Sequence, residues 1–297
     1  MVFRFLNLRL KKNRKLAFMT CSALLWAILS AGSYHLIAEE VVPPVQVAQS
    51  SLASYRALYD LSIAKPTMDS PIQDIRGKMY YEIQENCDGW IIKQDIISYL
   101  TDDSDEQKVS KSNYTIWESK DHTKLSFHFR SYLNDEQSED ISGEATLSPD
   151  EDSENVVVFK TPEAVKLTLD KNTIFPIAQL ISMSRNPDQF NGMQDYHLFD
   201  GTSFNEGVIM SSFVTQFKEK LQSPQLVALS SGEKPKNIHM AFFAPLDSSD
   251  RSSYEMDVGI DSHGVQHYVS VIYPEFSLVS KMTKFENLDS KKDSCAI

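Results

Sequence analysis

From residue 54 onward the chain alternates apolar and polar residues with a period of two, run after run, and that period is the signature of strands with one face turned inward. In the first run, residues 54–63, Tyr55, Ala57, Tyr59, Leu61 and Ile63 fall on one side. The pattern returns over 75–83, 90–99, 112–118, 124–132, 141–147, 155–159, 164–169, 194–199, 207–217, 236–243, 254–260, 265–273 and 276–285, with a weaker run at 226–229. Asn86-Cys87-Asp88-Gly89 and Asp200-Gly201 have the composition of tight turns between runs. About fourteen strands with connections mostly of hairpin length predict a mainly β chain: a single large, strongly curved, barrel-like antiparallel sheet with one dry and one wet face. One stretch breaks the period. In residues 173–184, Ile177, Leu180, Ile181 and Ser184 recur at i, i+3, i+4 and i+7, and Pro176 suits a first helical turn where its missing N–H costs nothing. Asn186-Pro187 ends this helix after two or three turns. A helix so short is stable only if the rest of the protein packs on it, so the sheet is expected to wrap around it.

Composition changes the picture at the N-terminus. The first fifteen residues carry Arg4, Arg9, Lys11, Lys12, Arg14 and Lys15 with no acid, followed by an apolar run over 16–29 and small residues up to Ala38. That is the layout of a secretory signal peptide, residues 1–38, with an uncleaved membrane anchor as the competing reading. Cys21 lies early in the apolar run, so no lipid anchor is expected. Residues 39–51, with Pro43-Pro44, read as an extended linker, and 52–297 as one domain whose 41% apolar and 10% aromatic content can fill a large core. Without the leader the chain has 23 basic and 41 acidic residues, net −18, which argues against nucleic acid as a partner. The acid clusters, such as Asp102-Asp103-Ser104-Asp105-Glu106 and Asn134-Asp135-Glu136, read as solvated turns, since none has the spacing of a calcium loop. Two cysteines survive leader removal, Cys87 and Cys295, and in an exported chain an even count points to a disulfide; two buried thiols or a metal pair are the alternatives.

Candidate chemistry is sparse. The sequence lacks a nucleophile elbow, a phosphate loop, a dinucleotide fingerprint and a zinc-protease helix. His263 and His267 are four apart, but one falls in the turn Asp261-Ser262-His263-Gly264 and the other on the strand after it, so helical spacing does not apply and a turn or solvent role is expected for both. Glu118 and Asp121 could be imagined as a glycosidase pair, yet they read more simply as turn acids. No catalytic residue, metal or cofactor is assigned.

The ordered set Tyr55-Arg56-Ala57-Leu58-Tyr59-Asp60-Leu61, Arg76-Gly77-Lys78-Met79-Tyr80-Tyr81-Glu82, Cys87-Asp88-Gly89-Trp90, Phe175-Pro176, Leu198-Phe199-Asp200-Gly201 and a last strand ending shortly before Cys295 resembles the EipB family of periplasmic cell-envelope-integrity proteins. The resemblance implies a β-spiral, one broad sheet wrapped around a helix that begins near Phe175-Pro176, closed by a Cys87–Cys295 disulfide. It also implies a role in maintaining the envelope of Gram-negative bacteria and brings no catalytic residues. Two kinds of non-enzymatic function then stand side by side: a binding protein for a lipid, acyl or peptidoglycan-related ligand, or a scaffold that docks a partner protein of the envelope. A cell-wall hydrolase ranks third. Phe175, Ile177, Leu180 and Ile181 are the residues expected to plug the concave side of the sheet or to line a ligand space there.

Overall fold

The computed structural model describes residues 52–66, 70, 72–150, 152–185, 195–215, 235–243 and 251–289. The expected leader and linker, the weak run at 226–229, the Asn186-Pro187 stop and Cys295 lie outside them. Fifteen strands form one sheet: β1 (Tyr55–Pro66), β2 (Ile72–Glu85), β3 (Gly89–Asp102), β4 (Gln107–Ser119), β5 (Lys124–Leu133), β6 (Glu136–Thr146), β7 (Asn155–Thr161), β8 (Val165–Leu169), β9 (Thr173–Ile174), then, after helix α1 (Pro176–Arg185), β10 (Asp195–Leu198), β11 (Val208–Thr215), β12 (Lys236–Phe243), β13 (Tyr254–Ile260), β14 (Gln266–Ile272) and β15 (Phe276–Asn287). Every pairing is antiparallel except β9 with β10.

The strand order dictates the shape. It runs from β8 back to β1, continues through β15, and descends to β9, so the two edges of the sheet, β8 and β9, are consecutive in the chain. Laid flat, fifteen strands would separate those edges by roughly 65 Å. The link between them is Asp170, Lys171 and Asn172, which spans no more than about 14 Å. The sheet therefore has to roll until its edges approach, and the result is a nearly closed barrel with a seam between β8 and β9.

Alternation sets the inside. On β3 the buried residues are Trp90, Ile92, Gln94, Ile96, Ser98 and Leu100, while Lys93, Asp95 and Tyr99 point outward. Tyr55, Tyr59 and Tyr81 bury whole rings, and the Tyr59 hydroxyl donates to the Gln266 carbonyl at 2.6 Å. One buried cluster runs from Leu52 through all the long strands to Met282 and takes in α1.

Two expectations need correction. Residues 173–174 are not helical: they form β9, parallel to β10, and the helix starts at Pro176 and runs to Arg185. The proline is the cause, because its ring disfavours a helical conformation at Phe175 and keeps the chain extended up to that residue. Nor is Asp200-Gly201 the two-residue turn of a hairpin. Residues 199–207 form a longer segment, and Phe199, Asp200, Gly201 and Thr202 are buried. Asp200 Oδ1 accepts from both the backbone N–H and the hydroxyl of Thr202 at 2.8 Å, and the Tyr114 hydroxyl donates to the Asp200 carbonyl at 2.7 Å. Gly201 sits at φ +73° directly against the Phe127 ring, where an added Cβ would lie 2.2 Å from a ring carbon, so only glycine fits.

Candidate functional site

Helix α1 is buried on nearly every side: Pro176, Ile177, Gln179, Leu180, Ile181, Ser182, Met183 and Ser184 are all inside. Phe175, Ile177, Leu180 and Ile181 are each 3% exposed or less. Phe175 meets Phe199 edge to face, and Leu180 lies under the β13–β14 turn, its Cγ 3.7 Å from where a Cβ on Gly264 would stand. Phe127, Phe159, Phe199 and Phe204 complete an aromatic cluster of edge-on contacts beside it. The interior is thus filled by two elements, the helix and the segment after β10.

A buried helix N-terminus needs acceptors for its first N–H groups. Phe175 stands at the cap and has no side-chain acceptor to offer. Pro176 has no N–H, and the Gln179 N–H donates to the Phe175 carbonyl at 3.0 Å. The two remaining donors go to one residue far away in sequence: the Ile177 N–H donates to Glu118 Oε2 at 2.7 Å and the Ala178 N–H to Glu118 Oε1 at 3.0 Å. His122 Nδ1 lies 2.6 Å from the same Oε1. Glu118, at the end of β4, is fully buried. Burial pushes its pKa up, while His122 and the two backbone N–H groups pull the other way. The positive end of the helix also favours a carboxylate here. Glu118 is therefore not the solvated turn acid expected from the sequence. Asp121 is: it accepts from the Ser119 hydroxyl at 2.5 Å and from the Thr123 N–H at 3.1 Å, and these bonds hold its pKa down. The two carboxylates serve a helix cap and a turn, not a common substrate.

A second buried carboxylate–histidine contact was missed in the sequence. His267 Nε2 lies 2.9 Å from Asp261 Oδ2, and both residues are buried; Asp261 Oδ1 accepts the N–H groups of His263 and Val265 at 2.9 and 3.0 Å. His267 is a core residue, contrary to the solvent role expected for it. The turn is covered by the start of the domain, where the Ala53 N–H donates to the His263 carbonyl at 2.9 Å. His263 does not join His267 on a common centre, and among the described residues no group of three or more His, Cys, Asp or Glu side chains is placed to hold a metal.

Among the described residues two small spaces lie in the interior, the first of them against the helix. One of about 10 Å³ lies among Gln179, Met183, Met240, Met256 and Gln266, and one of about 70 Å³ lies under residues 198–208. The first has room for about one water molecule. A larger groove of about 570 Å³ opens instead on the outer face of β1–β5. Two cross-strand rows build it: Leu58, Tyr80, Asp95 and Asn113 face one another in sequence across β1 to β4, and Lys78, Ile97, Lys111 and Tyr132 across β2 to β5. Asn113 Nδ2 donates to Asp95 at 2.6 Å, Lys111 meets Asp135 at 2.6 Å, Lys78 meets Asp60 at 2.6 Å, and the Tyr80 hydroxyl donates to Glu82 at 2.5 Å. Burial, and after it the Glu82 carboxylate, push the Tyr80 phenol up to about 12. Cys87 lies exposed in the β2–β3 turn.

Comparison with known proteins places this architecture. A family model described as EipB-like matches residues 46–289. The cell envelope integrity protein EipB of Brucella abortus (strain 2308) is 22% identical over 246 residues, covering 82% of this chain and 86% of that protein. The crystal structure of a beta-barrel-like protein of domain of unknown function DUF1849 from Brucella abortus superposes with a TM-score of 0.72 at 21% identity, covering 82% of this chain and 100% of that one.

Proposed function

The chain belongs to the EipB-like family, and from that premise we propose that it supports the integrity of the cell envelope from the periplasm, without catalysis, by binding an envelope component or a partner protein. The observation that carries the non-catalytic reading is the engagement of the two buried carboxylates that stand beside histidines, Glu118 in the helix cap and Asp261 in the β13–β14 turn. Both oxygens of Glu118 are taken by the helix N-terminus, and Asp261 Oδ1 by the N–H groups of its own turn. The burial of Phe175, Ile177, Leu180 and Ile181 supports a packed helix over an acyl carrier, which needs a cavity of about 300 Å³ or more.

On this reading residues 1–38 are removed as a leader, 39–51 tether the domain, and 52–297 act as one unit stapled by Cys87 and Cys295. Asn287 at the end of β15 faces Tyr55, which faces Ile83, four residues before Cys87. The two strand ends are therefore about 10 Å apart, a gap that the residues following Asn287 can span.

Deletion of the gene from its own bacterium tests the role. Growth on detergent or a cell-wall antibiotic should fail and be restored by the exported protein. Deleted cells that tolerate both treatments would refute an envelope function, and a lipid recovered in equimolar amount from the purified protein would replace the packed scaffold with a carrier.

A further inference from the structure

The outer groove on β1–β5 has the chemistry of a sugar-binding platform. Its corners are two tyrosines, Tyr80 on β2 and Tyr132 on β5, and its floor is Leu58 and Ile97. Between them stand Asp95, whose carboxylate can accept from a hydroxyl, and Asn113, whose amide can accept or donate. Three strand intervals separate the tyrosines, roughly 14 Å, about the length of three linked sugar rings. The groove, of about 570 Å³, is shallow and open to solvent along its length, which suits an extended chain and not an enclosed ligand.

Other occupants fit less well. Lys78 and Lys111 already face Asp60 and Asp135, so no unpaired cation waits for a phosphate. The groove is crossed by strands hydrogen-bonded on both sides, β2, β3 and β4 among them, so an extended peptide finds no free backbone edge to join. Nucleic acid is repelled by the net charge of −18 that residues 39–297 carry. An uncharged sugar chain meets each feature: the C–H face of a pyranose ring stacks on a phenol, hydroxyls bond to Asp95 and Asn113, and an acetamide methyl rests on Ile97 between the two tyrosines.

We propose that this groove binds a chain of β-linked N-acetylhexosamines, the glycan strand of the cell wall. This rests on the envelope reading given above and names the envelope component that the site takes.

Calorimetry of the mature, oxidised protein with chitohexaose as the probe tests it, with co-sedimentation on isolated peptidoglycan sacculi as the second arm. Saturable binding is expected, weakened about tenfold by Tyr80→Ala and again by Tyr132→Ala through the lost ring stacking. Phe213→Ala, on the exposed face of β11 and 48% accessible, should leave binding unchanged. All three variants should melt close to the parent, because each side chain lies on the outer face. The proposal is overturned if the parent protein binds neither probe, if both tyrosine variants bind as the parent does, or if cellohexaose, which lacks the acetamide, binds equally well. Rescue of the deletion strain by the Tyr80→Ala, Tyr132→Ala double variant would also overturn the groove while leaving the envelope role standing; a deletion strain with no defect would remove that role whatever the groove binds.

Discussion

Replacing Glu118 by alanine should loosen the interior more than any other single polar change. The substitution strips the buried N–H groups of Ile177 and Ala178 of their acceptor and leaves His122 without its carboxylate. Each buried donor left unpaired costs about 1–3 kcal/mol. Against this stands the relief of no longer holding a carboxylate out of water, whose cost shows in the raised pKa. The balance is a loss of about 2–4 kcal/mol, which for a domain of this size lowers Tm by about 5–15 °C. Glu118→Gln should fall between, since its oxygen can still accept while its amide nitrogen faces an N–H. The pH dependence carries the sign. A carboxyl whose folded pKa lies above its unfolded value of 4.5 stabilises fully below that value, and the contribution is lost as pH rises through the folded pKa. The stability gap between parent and Glu118→Gln should therefore widen as the solution is taken from neutral pH down toward 4.5. Circular dichroism melts across that range read both effects. A Glu118→Ala protein that melts with the parent would show that Glu118 does not hold the helix, and a gap that closes on acidification would show that its folded pKa is not raised.

Leu180→Ala opens space in a site that is 1% exposed and should cost about 2–5 kcal/mol, read by denaturant unfolding. Gly201→Ala forces a Cβ into the Phe127 ring at a positive φ and should lower Tm with a loss of the near-ultraviolet aromatic signal. The Asp257 carboxylate, 3.1 Å from His239 Nδ1, raises the histidine pKa against partial burial, so its contribution is present below pH 6.5 and lost as pH rises through the folded value; His239→Gln should flatten Tm over that interval. Cys87→Ser or Cys295→Ser should each cost about 2–5 kcal/mol, and thiol labelling of both residues in the unreduced, unfolded protein would refute the bond.

The strands were legible where one face is dry. On β3 strict alternation placed the strand within a few residues, whereas β4 and β6 extend past the apolar pattern through residues 107–111 and 136–140, which project beyond the core and carry polar side chains on both faces. Periodicity has nothing to count there. Helix α1 was legible from its spacing, and Phe175-Pro176 marked its start, but the acceptor for that start was not. Glu118 precedes Ile177 by 59 residues, and nothing local separates it from Asp121 three positions on, which does cap a turn. One hint was available: a helix beginning at proline after phenylalanine has no cap of its own, so if it is buried an acceptor must arrive from elsewhere. Asp261 and His267 misled for a related reason. Asp-Ser-His-Gly has the composition of a solvated turn, and only the fold of Leu52 and Ala53 over it puts it inside.

The seam explains why Glu118 matters beyond one helix cap. Among the described residues no ladder joins β8 to β9, so the β1–β8 and β9–β15 halves share a strand ladder only at β1 with β15, beside which the Ala53 N–H donates to the His263 carbonyl. On the other side they are tied through the interior and by side chains: Glu118 on β4 to the helix, Tyr114 on β4 to Asp200, Phe127 and Phe159 to Phe199 and Phe204, and Asn155 Nδ2 to the Asp170 carbonyl at 2.9 Å in the link between the edges. Such contacts can be lost without breaking a single strand pairing. Loss of Glu118 should therefore open the barrel at its seam while leaving the sheet intact, and hydrogen exchange would show it as faster exchange in α1 and β8–β10 with β1–β3 still protected. Uniform acceleration across all strands would mean that the helix and the sheet unfold as one unit and that the seam is not the weak line.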